Sequence, residues 1–275
     1  MAEKQAATNP HGSTVARLPR DFDQVLTITN AAQRFEEASF VAEKVSEAGV
    51  ALLPNFDHAA IFSDPPHQVA GPLKRIGYVN GWDTRCYPSP VDGEDFINVP
   101  AYLPPDSPAR QRGWFDYVAV VHPVDAAAQD KMLSQGYGNP FLHHVTWGVV
   151  APPRDAGDDD FAYAARVVPH MVRTRAKIAE AIGDEPGTLI IAMPQAVIQR
   201  GEFSVALADW VGDCPPDQIL VEAMQGGGFL IQFFVLTGGR IEVALRVDTT
   251  QTFNPKSVHK ISKDEISTIQ HHGAV

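Results

Sequence analysis

With 275 residues and a hydrophobic share of 44%, the chain is long enough for a substantial core, built as one large domain or two fused small ones. A net charge of −11 with no basic stripe excludes the electrostatic footprint of a nucleic-acid binder. The two cysteines, Cys86 and Cys214, form neither a CxxC pair nor a disulfide framework, and Met1–Arg20 lacks the apolar segment of a secretory leader. No apolar run is long enough for a bilayer, so the expectation is a cytoplasmic protein that binds neither membrane nor nucleic acid.

Residues 1–20 read as a loosely held arm. Between Asp21 and Gly49 the apolar residues Phe35, Phe40, Val41, Val45 and Val50 recur near a helical period, which predicts a helical preface. Residues 1–54 are therefore arm and preface. From 55 to 140 the pattern reads βαβββ. A strand runs over Phe56–Ser63, and a helix starts at Asp64-Pro65-Pro66 and runs to about Ile76. Further strands cover Tyr78–Tyr87, Phe96–Tyr102 and Trp114–Val121, with a Pro/Arg-rich loop over 103–113.

Residues 141–250 repeat the order with longer parts. The predicted strand Leu142–Val150 leads through an acidic loop to a helix over Phe161–Ile182 that ends at Gly183. Strands follow at Thr188–Ile198, Ile219–Met224, Phe229–Leu236 and Arg240–Val247, while Phe203–Asp217 has no clear assignment. Asp155, Asp158, Asp159 and Asp160 read as a solvated run favouring the helix N-terminus. Residues 251–275 are a tail with a short helix over Lys263–Ile269. Gly226-Gly227-Gly228 lacks the spacing of a phosphate loop and reads as a hairpin turn.

Two segments, Asn55-Phe56-Asp57-His58-Ala59-Ala60-Ile61-Phe62 and Phe141-Leu142-His143-His144-Val145-Thr146-Trp147-Gly148, each place a histidine at the head of an apolar run. Each half closes on an apolar run with a carboxylate, Asp116 in the first and Glu242 in the second. An imidazole or carboxylate inside an apolar strand calls for a partner, because burying it alone is costly. A metal ion offsets that cost for two histidines and one carboxylate together. Such a set leaves open positions that suit Fe(II) binding both an organic substrate and O2. The alternative is a set of hydrogen-bonded polar residues on core strands.

This repeat resembles the vicinal oxygen chelate superfamily of glyoxalases and extradiol dioxygenases. The likeness rests on Phe56-Asp57-His58-Ala59-Ala60-Ile61, Leu142-His143-His144-Val145-Thr146 and Arg240-Ile241-Glu242-Val243, and covers roughly residues 55–250. It implies an α+β fold of two βαβββ modules whose curved mixed sheets surround a metal cleft, with the helical preface added. It also implies His58, His144 and Glu242 as metal ligands. The implied cofactor is Fe(II), with Mn, Zn, Ni or Co as alternatives. The implied activity is a dioxygenase reaction on a small oxygen-chelating substrate, either a catechol-like ring or a 2-oxo or hydroxy acid. A fainter likeness is to the 2-oxoadipate dioxygenase/decarboxylase group. Competing readings are a metal-dependent isomerase, epimerase or lyase of glyoxalase type, and a metal-free module that binds a small ligand. Modules of this kind often pair across subunits, so a homodimer is compatible with the sequence.

His143 and His144 compete for the ligand role, since neighbours on a strand face opposite sides; alignment with His58 favours His144 and leaves His143 as its supporting partner. Thr146 lies two residues beyond His144 and shares its face. His143, Thr146 and Gln225 are the candidates for contact with the reaction. Trp82, Arg85 and Tyr87, clustered near one turn, and Gln195, Gln232 and Arg246, placed on strands of the second module, are the candidates for holding substrate. Asp116 reads as a cap for local backbone groups and His122 as a strand-end surface histidine, with metal ligation as the alternative for each. His67, His170, His259, His271 and His272 read as ordinary surface residues.

Overall fold

The structure is a computed structural model that describes residues 31–65, 67–80, 85–88, 95–108, 117–123, 126–134, 138–183, 186–215, 218–224, 228–235, 241–247 and 259–260. It is a mixed α/β fold with a mixed sheet and an N-terminal helix, in line with the α+β expectation. The chain divides into two compact units. The first comprises the N-terminal residues through Glu47, Leu52–Trp147 and a short stretch ending at Glu242; the rest forms the second.

The first unit opens with helix α1 (Ala31–Glu47). Ala38, Val41, Ala42 and Val45 are buried, giving the i, i+3, i+4, i+7 stripe of a packed helix. Phe40, predicted to share that stripe, is 58% exposed instead, with the Lys44 ammonium 4.8 Å from its ring centroid. Strand β1 (Leu52–Phe62) follows, then α2 (His67–Arg75), β2 (Val79–Asn80), β3 (Arg85–Pro88), β4 (Asp95–Tyr102) and β5 (Tyr117–Pro123). This is the expected βαβββ order, with the second strand described as two pieces. Helix α3 (Ala126–Leu133), which the sequence reading lacked, leads to β6 (Phe141–Val149).

In the sheet the order is β6-β1-β5-β4-β2, with β3 also on β4. β1 runs parallel to β5, pairing Ala59 with Val118 and Phe62 with Val121. β5 and β4 are antiparallel, as are β4 and β3. Ala60, Phe62, Ala119, Val121, Met132 and Phe141 form the core on one side. Within it the Phe62 and Phe141 rings stack with centroids 4.8 Å apart. Asn139, just before β6, clamps the chain just after β1. Its Oδ1 accepts from the Asp64 N–H at 3.0 Å, and its Nδ2 donates to the Asp64 carbonyl. The two histidine-bearing strands are thereby tied near the C-terminal end of β1.

In the second unit α4 (Asp160–Ile182) starts where Asp159 accepts a 2.7 Å hydrogen bond from the Ala162 N–H. The acidic run thus supplies the N-cap, as the sequence implies. The helix runs through Pro169 and ends at Gly183, whose φ of 70° is the left-handed cap conformation glycine adopts without strain. Tyr163, Val167, Met171 and Ile178 are among its buried residues. Strand β7 (Leu189–Pro194) is followed by α5 (Gln195–Ile198) and α6 (Gly201–Val211). Strands β8 (Ile219–Met224), β9 (Phe229–Val235), β10 (Ile241–Val247, of which Ile241 and Glu242 belong to the first unit) and β11 (His259–Lys260) follow. Their order is β11-β8-β7-β9-β10.

β7, β9 and β10 are neighbours in that order. β8 is an addition outside β7, parallel to it and reached through α5 and α6. The predicted strand Thr188–Ile198 therefore stops at Pro194, and the unassigned stretch after 203 holds a helix. The predicted tail helix 263–269 lies outside the described residues. Among the described residues no helix is long and apolar enough to cross a membrane.

Candidate metal centre

Three side chains meet within the first unit. His58 comes from the middle of β1, His144 from β6 and Glu242 from the second residue of β10. All are buried, at 5%, 7% and 3% exposure. His144 Nε2 lies 3.1 Å from Glu242 Oε2, His58 Nε2 lies 3.6 Å from the same oxygen, and the two Nε2 atoms are 3.4 Å apart. A point equidistant from the three atoms lies about 2 Å from each, within the roughly 2.0–2.2 Å at which imidazole nitrogen and carboxylate oxygen bind a divalent transition metal.

The chemistry of the set also fits an ion. A carboxylate withdrawn from water needs a positive partner, and a divalent cation would serve it and both imidazole lone pairs at once. Among the described residues this is the group of His, Cys, Asp or Glu side chains whose ligand atoms gather closely enough, all within 4.8 Å of one another.

Local strand structure explains the convergence. β6 is buried along its whole length, so both of its faces carry side chains that must be matched inside the protein. His144 and Thr146 share one side by alternation. The Thr146 hydroxyl, fully buried, is 3.1 Å from His58 Nε2. His143, its register opposed, nevertheless brings Nδ1 to 2.7 Å from His144 Nδ1. His144 is thus the member of the pair whose Nε2 joins His58 and Glu242, as the alignment with His58 implies.

Two aromatic residues that the sequence reading left without a role border the site. The Tyr117 ring lies 5.2 Å from that of His58, and Tyr102 stacks on Tyr117 at 5.1 Å. They are register partners on β4 and β5. The signal was present in the sequence as one tyrosine at the end of each of two apolar strands.

The remaining candidates are dispersed. Arg85 and Tyr87 lie on β3 opposite Asn98 and Phe96, and Arg246 lies on β10. Gln232 is half-buried on β9, opposite Ile190. Gln195, expected on a strand, instead opens α5 and is exposed, because the strand ends at Pro194. Trp82, Gln225 and Asp116 lie outside the described residues. His122 is half-buried on β5, paired with Ile97. His170, expected at the surface, is half-buried on α4. Desolvation by burial holds its pKa below the ordinary histidine value, and the Arg173 charge adds to this, against a hydrogen bond to the Val150 backbone.

No protein-family model matches the chain, and no curated protein matches it. Among solved structures, a mutant of 4-hydroxymandelate synthase from Streptomyces coelicolor matches with 14% identity and a TM-score of 0.40, covering 79% of this chain and 52% of that one. A xylose isomerase-like TIM barrel/4-hydroxyphenylpyruvate dioxygenase fusion protein matches with 13% identity and a TM-score of 0.37, covering 74% of this chain and 27% of that one. The chain thus spans about half the length of the first and about a quarter of the second.

Proposed function

We propose that this protein is a non-haem Fe(II)-dependent dioxygenase acting on a small oxygen-chelating organic compound, with His58, His144 and Glu242 as the iron ligands. One observation carries the reading: three buried donor atoms, two nitrogens and one oxygen, lie 3.1–3.6 Å apart around a common point. Bound Fe(II) would supply Lewis acidity toward a chelating substrate and redox chemistry with O2.

The protein's own part is binding and exclusion. Two neutral imidazoles and one carboxylate leave a divalent ion with net positive charge, which draws in an anionic chelating group such as a catecholate or a 2-oxo carboxylate. Burial of all three ligands keeps bulk water away and strengthens that attraction. The Thr146 hydroxyl lies beside His58 Nε2, and in this reading it would donate a hydrogen bond to a substrate oxygen. Trp82, Arg85, Tyr87, Gln232 and Arg246 are the proposed substrate contacts, the arginines for a carboxylate and the aromatics for a ring.

The rival on the same scaffold, a metal-dependent isomerase or lyase, generally draws on four protein ligands. Three gather among the described residues, and Asp116, the other carboxylate candidate, lies outside them. The deciding experiment is oxygen uptake by Fe(II)-loaded protein against a panel of catechols and 2-oxo acids. Uptake that requires Fe(II) is the expected result. Undiminished turnover under argon would select the isomerase class, and protein that retains no divalent metal would reject both.

A further inference from the structure

We infer that His143 is a positioning residue that fixes the tautomer of His144 and so aims its Nε2 lone pair at the metal; the inference rests on the metal-centre reading above. The argument is one of proton count. His144 Nε2 is the nitrogen that faces Glu242 Oε2 at 3.1 Å and His58 Nε2 at 3.4 Å. To ligate, that nitrogen must carry a lone pair, so the single proton of neutral His144 sits on Nδ1.

An N–H buried to this degree needs an acceptor. His143 Nδ1 lies 2.7 Å from it, and His143 is itself 5% exposed. At that distance one of the two nitrogens donates and the other accepts, and with the His144 proton on Nδ1 the acceptor is His143 Nδ1, which places the His143 proton on its own Nε2. The two adjacent rings form a directed pair, with His144 Nδ1–H donating to His143 Nδ1. Ring centroids 5.0 Å apart at 68° suit an edge-on donor rather than a stack.

Metal-bound histidines commonly donate their second N–H to a carboxylate or carbonyl, and loss of that partner costs 10–100-fold in metal affinity. Here a neighbouring histidine on the same strand takes that place. Replacing it with a side chain that has no acceptor removes the 2.7 Å contact that holds the proton on Nδ1. The opposite His144 tautomer, with its proton pointing at the metal position, then becomes favoured.

The test compares wild type, His143→Phe and His143→Asn in Co(II) titrations followed by visible absorption. Asparagine offers an amide oxygen near the Nδ1 position, whereas phenylalanine fills the volume with no acceptor. Wild type binds Co(II), His143→Phe binds on the order of 10–100-fold more weakly, and His143→Asn recovers most of the loss. Equal binding by wild type and His143→Phe overturns the inference and leaves the metal centre standing. Failure of wild type to bind Co(II) overturns the metal centre itself. A second measurement needs no variant: long-range 1H–15N spectra of zinc-loaded wild type report ring tautomers. A proton on Nδ1 of His144 and on Nε2 of His143 is expected; a proton on Nδ1 of both rings, or on Nδ1 of His143 alone, overturns the inference.

Discussion

Glu242 Oε2 stands between two imidazoles, 3.1 Å from His144 Nε2 and 3.6 Å from His58 Nε2, so the carboxylate is the hinge of the donor set. Glu242→Ala is expected to abolish tight binding of divalent metal and, with it, oxygen uptake. The measurement is metal content after dialysis without chelator. Full iron occupancy in that variant would remove Glu242 from the ligand set.

Metal bound only to the folded state raises stability by mass action, by about 4 kcal/mol when free metal exceeds Kd a thousandfold. Wild-type protein should therefore melt several degrees higher with Fe(II) under anaerobic conditions, or with Co(II). His58→Ala and Glu242→Ala should show no such rise, whereas His122→Ala on the neighbouring strand should keep it. A metal-dependent rise that survives His58→Ala would point to a different site.

Thr146→Val removes a hydroxyl that lies 3.1 Å from His58 Nε2 in a fully buried position. Without metal, His58 loses that partner, at a cost of about 0.5–1.5 kcal/mol. With metal on the same nitrogen, the bond is absent in both proteins. The metal-free variant should thus melt lower than wild type, the loaded variant should lose less, and metal affinity should not fall. Catalytic efficiency should fall if the hydroxyl contacts substrate. Parallel melts with and without metal check the first part, and kcat/KM the second.

His170 predicts a pH dependence. Burial holds its pKa in the folded protein below the ordinary 6.5, and its Nε2 is buried without a hydrogen-bond partner. Protonation therefore favours the unfolded chain. The stability that neutral His170 contributes is complete above the unfolded pKa and is lost as pH falls from about 6.5 through the folded value. His170→Asn should flatten the acid limb of a plot of urea midpoint against pH. Identical slopes for variant and wild type below pH 6.5 would contradict this.

Phe62 and Phe141, both essentially buried and stacked at 4.8 Å, hold β1 and β6 together beyond the histidines. Phe62→Ala should cost about 3–5 kcal/mol, and Phe62→Leu clearly less. Denaturant unfolding measures both, and a loss under about 1 kcal/mol for the alanine variant would show that the pair adds little.

The site was legible because its members break a pattern. A histidine or glutamate inside an apolar strand stands out in sequence, and the same burial that makes it conspicuous makes it need a partner. His58 and Glu242 could be singled out on that ground and His144 only by its alignment with His58, and their meeting needed coordinates. The segment after β7 was less legible. Leu189 through Ile198 is an almost unbroken apolar run, and only Pro194 marks where strand gives way to helix. In α6 the buried Phe203, Leu207 and Val211 recur every four residues, a helical signal weakened by the exposed Val205 between them. Nothing local in the chain tells that β8 lies outside β7 rather than beside β9, since that is set by the crossover helices. Helix α3 is short and alanine-rich, and its buried Met132 gives too little periodicity to show.

The two imidazoles are 86 positions apart in sequence, and the carboxylate comes from β10, near the end of the described chain. During synthesis a ribosome-bound chain would expose both histidines well before it could offer the acid. Cation capture at the proposed centre would then wait for the strand that carries residue 242, and occupancy would serve as a gauge of the three strands having assembled rather than a seed for them.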